Sequence, residues 1–280
     1  MVRHGLHRFY LRAFRPFFIM LAVSALFLFA AGTAEAARLN DIKNHWAAPA
    51  VENLLRRGVV VGYPDGTFKP DRLLTRAEFA HLAVKAFGLS GAGKKVCPDT
   101  AGHWAEKDIA ALLGSGALEP YADGRFKPER LINRRETVAA LVRLLGFGSK
   151  EQVFGAEWSA SYGDVPTSDP DFRLIELARR LGYLAPSYAP SFLPGASVTR
   201  AEAAWMFDRV LRIKRIRGTV TEIEPELGLM TLKQDEKGEE TSLRLDPDVF
   251  VLRNNAAVEP AKLRQGDRVL AFVGPDGLAK

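Results

Sequence analysis

The sequence predicts a mainly α chain of three helix-loop-helix units followed by a small antiparallel β-barrel. The stretch 62–78, GYPDGTFKPDRLLTRAE, returns at 120–136 as PYADGRFKPERLINRRE and at 186–202 as PSYAPSFLPGASVTRAE. Offsets of 58 and then 66 residues carry Phe68 onto Phe126 and Phe192, and Pro70 onto Pro128 and Pro194. A register held this long marks internal triplication. Beyond Ile213 the apolar pattern changes from helical spacing to alternation, which is the signature of half-buried strands.

Taken in order, residues 1–36 read as an export signal. Arg3, Arg8, Arg12 and Arg15 form a basic lead, an apolar run follows from Phe17 to Ala31, and Ala34-Glu35-Ala36 suits small-x-small cleavage. A retained anchor is the alternative, but the apolar run is short for a bilayer span, so no retained transmembrane helix is expected. Without this segment the charge balance falls from 39 basic against 33 acidic residues to 35 against 32. That balance does not call for nucleic acid as a partner. Cys97 is the single cysteine, which excludes an intramolecular disulfide and a redox pair.

The first unit spans 37–89. Its first helix follows His45-Trp46, buries Ala50, Val51, Leu54 and Leu55, and closes at Gly58. The Asp65-Gly66 turn comes next, with Phe68 as a plug into the core. Thr75 and Glu78 then form a capping box that starts the second helix, whose apolar face is Phe79, Ala80, Ala83, Val84 and Phe87, with Gly88 as its stop. The second unit, 96–148, repeats this with Asp99, His103-Trp104, Gly116, Phe126, Asn133 and Glu136. The third, 161–213, keeps Asp164, Ile175, Gly182, Thr199 and Glu202, but Asp169-Pro170 stands where His-Trp stood. A unit of this size is marginal alone, so the three must share a core. Spacing leaves open whether they close into a ring or stack as a solenoid. The longer connection 146–162, with Phe154 and Trp158, reads as a surface excursion whose rings either clip it down or line a neighbouring groove. In 216–280, strands are expected near 217–223, 229–232, 241–245 and 250–252, with a turn and another strand within 262–273 that runs on past Asp276-Gly277.

These residues resemble the S-layer homology (SLH) domain family: Asp, His-Trp, an apolar helix, Gly, GYPDGTFxP and LTRAE, here in three tandem copies. The resemblance implies a pseudo-threefold bundle whose inter-repeat grooves hold a secondary cell-wall polysaccharide or peptidoglycan-linked glycan, often ending in a pyruvylated sugar. It thus implies a secreted, non-catalytic anchoring protein of the cell wall or S-layer, without cofactor or metal. The implied ligand contacts are Asp41, Trp46, Gly62, Tyr63, Arg76, Asp99, Trp104, Tyr121, Arg134 and Arg200. The Gly266-Asp267-Arg268-Val269 segment is similar to those of small OB-like envelope domains, which implies a barrel offering a contact surface to another envelope protein.

Elementary chemistry agrees with the ligand set. Arg76, Arg134 and Arg200 each stand at the first position of a capped helix, where an anion is favoured, and a guanidinium can hold a carboxylate through two bonds. Trp46 and Trp104 offer flat faces to sugar rings, and Gly62 permits close backbone approach. On this reading Arg76→Ala weakens wall binding and leaves the melting curve unchanged. Plainer readings stand beside it. The tryptophans also suit a core or staple role, the glutamates are caps, the histidines are helix-entry residues, and the arginines could pair with protein carboxylates. An enzyme acting on wall glycan would need paired acids such as Asp99 and Glu136, yet no pattern places two acids in a separate cleft.

Overall fold

The computed structural model describes residues 39–90, 97–147, 158–247, 249, 251–253, 256–258 and 260–280. The expected export signal lies outside the described residues, as does Phe154. Among the described residues no helix is long and apolar enough to cross a membrane.

Among the described residues six α-helices form in three pairs: α1 (Ala48–Arg56) and α2 (Arg76–Phe87), α3 (Glu106–Gly114) and α4 (Arg134–Leu144), α5 (Phe172–Arg180) and α6 (Arg200–Val210). The second helix of each pair starts at the expected capping box. Glu78 N–H donates to Thr75 Oγ1 at 3.2 Å while Thr75 N–H donates to Glu78 Oε2 at 3.0 Å, and the Asn133/Glu136 and Thr199/Glu202 pairs do the same. Gly88 ends α2 at φ +62°, a conformation open to glycine because it has no Cβ. The first helices have no such box. His45 Nδ1 accepts from Ala47 N–H and His103 Nδ1 from Ala105 N–H, so both histidines are helix-entry residues.

The loop joining each pair is held by one aspartate. Asp41 accepts from the N–H groups of Phe68 and Lys69, Asp99 from those of Phe126 and Lys127, and Asp164 from those of Phe192 and Leu193, all within 2.6–3.0 Å. The second residue of each loop pair is a non-glycine at positive φ: Lys69 56°, Lys127 57° and Leu193 53°. That conformation costs about 1–2 kcal/mol for an L-residue, and the aspartate clamp offsets it. Each preceding phenylalanine is then driven into the core, where Phe68, Phe126 and Phe192 are fully buried.

Asp99 carries a pH signature of this clamp. Burial pushes its carboxyl up, but the N–H donors of Phe126 and Lys127 outweigh that and hold it below the ordinary carboxylate value. A depressed folded-state pKa contributes stability above the unfolded value, about 4, and loses it as pH falls through the folded value. The melting-temperature gap between wild type and Asp99→Asn is therefore expected to be widest at pH 6–7 and to narrow below about pH 4. A gap that holds constant from pH 7 to pH 2 would show that the carboxylate charge is irrelevant to the clamp.

The three pairs bind one another in a circuit. Helix α2 packs on α3, α4 on α5 and α6 on α1. At the centre Leu74 N–H donates to Val198 O, Val198 N–H to Ile132 O and Ile132 N–H to Leu74 O, at 2.9–3.0 Å. All three side chains are completely buried. The third repeat therefore contacts the first as directly as the first contacts the second, where sequence spacing had left ring and open stack undecided.

Seven strands follow among the described residues: β1 (Lys214–Glu224), β2 (Leu229–Gln234), β3 (Glu240–Leu245), β4 (Val251–Arg253), β5 (Ala256–Val258), β6 (Arg268–Val273) and β7 (Leu278–Ala279). They make the chain mixed in secondary structure, so a mainly α description suits only its helical part. Strands β1-β2-β3-β7-β6 run in that order and β6 returns to β1, closing a five-stranded barrel with the β4–β5 pair attached to β6. The expectation of a wholly antiparallel barrel fails at one place, since β3 and β7 pair in parallel. Five strands cannot all be antiparallel to both neighbours around a closed ring, because an odd count forces one parallel pair. Gly218 lies where β1 passes between β2 and β6. A Cβ there would stand 2.4 Å from Lys233 O, so a side chain at this point would drive the two strands apart.

Along β6 the side chains alternate as a barrel strand requires. Val269, Ala271 and Val273 fill the barrel, while Phe272 enters the core of the helical part and meets the Phe147 ring at 4.5 Å. Trp158, the described ring of the 146–162 connection, packs on the helical core beneath the Arg180 guanidinium.

Candidate functional site

The three equivalent arginines reach across to the following repeat. Arg76 is 1% exposed; its Nε donates to Phe126 O at 2.7 Å, Nη1 to Glu136 Oε1 at 2.6 Å and Nη2 to Glu119 O at 3.1 Å. Arg134, also buried, donates to Phe192 O and to Glu202 Oε1 and lies over the Tyr188 ring. These two guanidinium groups join repeats, making the pairs with protein carboxylates that stood as the plainer reading beside a ligand contact. Arg200 differs: its Nε donates to Phe68 O at 2.8 Å and its Nη2 to Val61 O at 3.3 Å, with no ion pair to a carboxylate among the described residues. Burial lowers its pKa below the ordinary guanidinium value.

The helix starts are likewise occupied. Arg76 N–H donates to Arg130 O, Arg134 N–H to Ala196 O and Arg200 N–H to Arg72 O, while the next N–H of each helix goes to Pro128 O, Pro194 O and Pro70 O. The anion expected at these N-termini is replaced by loop carbonyls of the neighbouring repeat. Asp41 and Asp99 have both carboxylate oxygens on backbone N–H groups, so they shape the loop. Gly62 permits a close approach within its own repeat, because a Cβ there would meet Leu39 Cδ2 at 2.5 Å.

Tyr63 and Tyr121 sit at equivalent positions among cations. Lys69 Nζ lies 4.2 Å and the Arg200 guanidinium carbon 5.0 Å from the Tyr63 ring centroid. Around Tyr121 stand Arg76, Lys127 and Arg130 at 4.5–4.8 Å. The Tyr121 hydroxyl donates to Glu136 Oε1 at 2.6 Å; burial and then that bond push its pKa up to about 12. In the third repeat these ring and lysine positions are Ser187 and Leu193.

Trp46 and Trp104 remain on the surface, 41% and 62% exposed. Each lies where one repeat meets another. The Trp46 ring stands 5.5 Å from Trp205 of the third repeat, and Trp104 stands 5.9 Å, edge-on, from His81 of the first. His81 Nδ1 is 2.7 Å from Asp108 Oδ2, and Trp205 Nε1 donates to Leu184 O. Between the second and third repeats no such ring pair forms among the described residues. Arg135 instead binds Asp169 through both nitrogens, at 2.8 and 2.7 Å, where the other repeats have histidine. Sequence reasoning missed Lys69, Lys127, Arg72, Arg130, His81 and Trp205. The offsets of 58 and 66 do align His81 with Ala139 and Trp205, but only the packing of α2 on α3 and α6 on α1 brings them to the tryptophans.

Surface rings and cations thus gather at two of the three repeat junctions. The profile of the S-layer homology domain matches residues 38–80 and 98–138, and the chain carries S-layer homology domains there. It is similar to "Cell surface glycoprotein 1" of Acetivibrio thermocellus, 37% identical over 170 residues, 51% of this chain and 7% of that protein. It is also similar to the "Cellulosome-anchoring protein" of the same organism, 38% identical over 125 residues, 42% of this chain and 28% of that protein. With the "Surface-layer 125 kDa protein" of Lysinibacillus sphaericus it shares 30% identity over 211 residues, 70% of this chain and 17% of that protein. The chain thus spans less than a third of the length of each of these relatives.

Proposed function

We propose that this protein is a secreted, non-catalytic anchor of the cell envelope. In this reading its three repeats form a pseudo-threefold bundle, and wall polysaccharide lies in the junctions between repeats one and two and between repeats three and one. The observation that carries it is the pair of exposed tryptophans, Trp46 and Trp104, each set beside a second ring from the neighbouring repeat. Large exposed apolar rings at a junction mark a surface made to be covered, and flat aromatic faces suit the apolar faces of sugars. Matches to surface-layer and anchoring proteins support the same reading. A glycan hydrolase is disfavoured by the state of Asp99 and Glu136. Asp99 accepts two backbone N–H groups, and Glu136 accepts from Arg76, Tyr121 and Asn133.

Co-sedimentation with purified cell-wall sacculi, before and after acid extraction of secondary polymer, tests the proposal. Wild type is expected to pellet with intact sacculi and to release no reducing ends. Trp104→Ala should weaken pelleting about tenfold, since stacking on an exposed ring contributes on the order of 1–2 kcal/mol. Its melting temperature should move little, because the side chain is mostly in solvent. Equal pelleting by both proteins would reassign Trp104 to the surface of the fold.

A second reading, an adaptor that holds another envelope protein, draws on the barrel. An open depression of about 560 Å³ is lined by Pro225, Leu227, Arg244, Pro247, Pro260 and Leu278, and Leu227 is 65% exposed.

A further inference from the structure

We propose that the two ring-bearing junctions carry a proton-sensitive catch: His45 and His103 hold the turns that present Trp46 and Trp104, and protonation of either imidazole releases its turn and weakens wall binding. This rests on the anchoring reading and adds to it a dependence on pH. The three repeats enter their first helices in the same way. In each, the N–H two places further on donates into the side chain at the entry position: Ala47 into His45 Nδ1 at 3.2 Å, Ala105 into His103 Nδ1 at 3.1 Å and Asp171 into Asp169 Oδ1 at 2.9 Å. The carbonyls of His45, His103 and Asp169 accept the next bond, from Ala48, Glu106 and Phe172.

A backbone N–H can only donate, so Nδ1 of each histidine carries no proton and the ring hydrogen sits on Nε2. At His103 that Nε2 lies 2.9 Å from Glu129 Oε1, and at His45 it lies 3.8 Å from Asp71 Oδ1. A second proton has only Nδ1 to go to, where it sets a donor against a donor and breaks the entry bond. Each imidazole also stands beside its tryptophan, the ring centroids 5.4 Å apart in the first repeat and 5.5 Å in the second, so a turn that opens takes the tryptophan with it. The third repeat is built without this sensitivity. Carboxylates ionise well below the range in which histidine changes charge, and Arg135 binds both oxygens of Asp169. The equivalents of Arg135 are Ala77 and Ala201, so neither histidine meets a cation at that position. His81 is the other titratable group beside Trp104, paired with Asp108, but Trp205 takes its place beside Trp46. His45 therefore reports the catch without it.

The test follows the isotope-labelled chain by NMR from about pH 8 to about pH 5, the range in which histidine changes charge, and measures pelleting with sacculi at both ends of it. At the basic end both histidines are expected as the Nε2–H tautomer. On acidification the amide signals of Ala47 and Ala105 should move together with the imidazole signals, while that of Asp171 stays in place. Nδ1 found protonated at the basic end, or Ala47 and Ala105 amides that stay fixed as the rings titrate, would overturn the catch. Pelleting should fall about fivefold or more at the acid end, the equivalent of one lost helix cap. An asparagine oxygen accepts the same N–H and takes up no proton. The double variant His45→Asn, His103→Asn should therefore pellet as wild type does at the basic end and lose most of the dependence on pH. A fall as steep in the double variant as in wild type would assign the dependence to the polymer or to His81 and refute the proposal. No pelleting by wild type at the basic end would count against the anchor itself, and the amide shifts would then decide the catch alone.

Discussion

Arg76→Ala is expected to destabilise the helical part by about 3–5 kcal/mol, the usual cost of removing one partner from a buried ion pair. The substitution leaves Glu136 without its cation and the carbonyls of Phe126 and Glu119 without a donor, all at the junction of the first two repeats. Urea titration followed by circular dichroism should show the midpoint fall well below that of wild type. This outcome is the reverse of what a surface ligand contact would give. A melting curve left unchanged by the substitution would restore Arg76 to the ligand set and contradict its burial. Arg76→Lys should recover only part of the loss, because an ammonium cannot reproduce the three directed bonds of the guanidinium.

Phe272→Ala has an effect of similar size but different form. Removing a buried phenylalanine costs about 3–5 kcal/mol, and here the ring belongs to a barrel strand while its contacts belong to the helices. Little of the loss falls on the barrel interior, which is filled from the other side of β6 by Val269, Ala271 and Val273. Wild type is expected to unfold in one calorimetric transition, and Phe272→Ala in two, the barrel and the helices melting apart. A single transition shifted to lower temperature would mean that other contacts suffice to couple them. The neighbouring approach of Arg215 Nη1 to Gly146, 3.5 Å from the position of a Cβ there, is one such contact.

Local features were readable from the chain because local rules produce them. The capping boxes at Thr75, Asn133 and Thr199, the glycine stop at Gly88 and the buried phenylalanines after each turn all follow from short spacings. Strand β7 was missed because two residues carry no alternation to read, and the parallel β3–β7 pair depends on closure of a ring, which no window of sequence contains. The site was legible in residue type, whereas the protein partners of its residues were not. Arginine at the first turn of a capped helix reads as an anion receptor, but whether its charge is free depends on a glutamate 60 residues away for Arg76, and 68 away for Arg134. The tryptophans were identified at the surface junctions only in part, since their partner rings come from the preceding repeat in the circuit.

The central triangle of Leu74, Ile132 and Val198 has a consequence for how the chain can be divided. Each amide there is paired with a carbonyl from a different repeat, so no repeat contains its own set of partners. Cutting the chain after the second repeat would strand the Leu74 amide and the Ile132 carbonyl in a dry interior, where an unpaired polar group costs about 1–3 kcal/mol. A two-repeat piece is therefore expected to be less stable than the whole trio. A gene fusion meant to borrow this module at full stability is expected to need all three copies, including the third, which has no counterpart of Trp46 and Trp104.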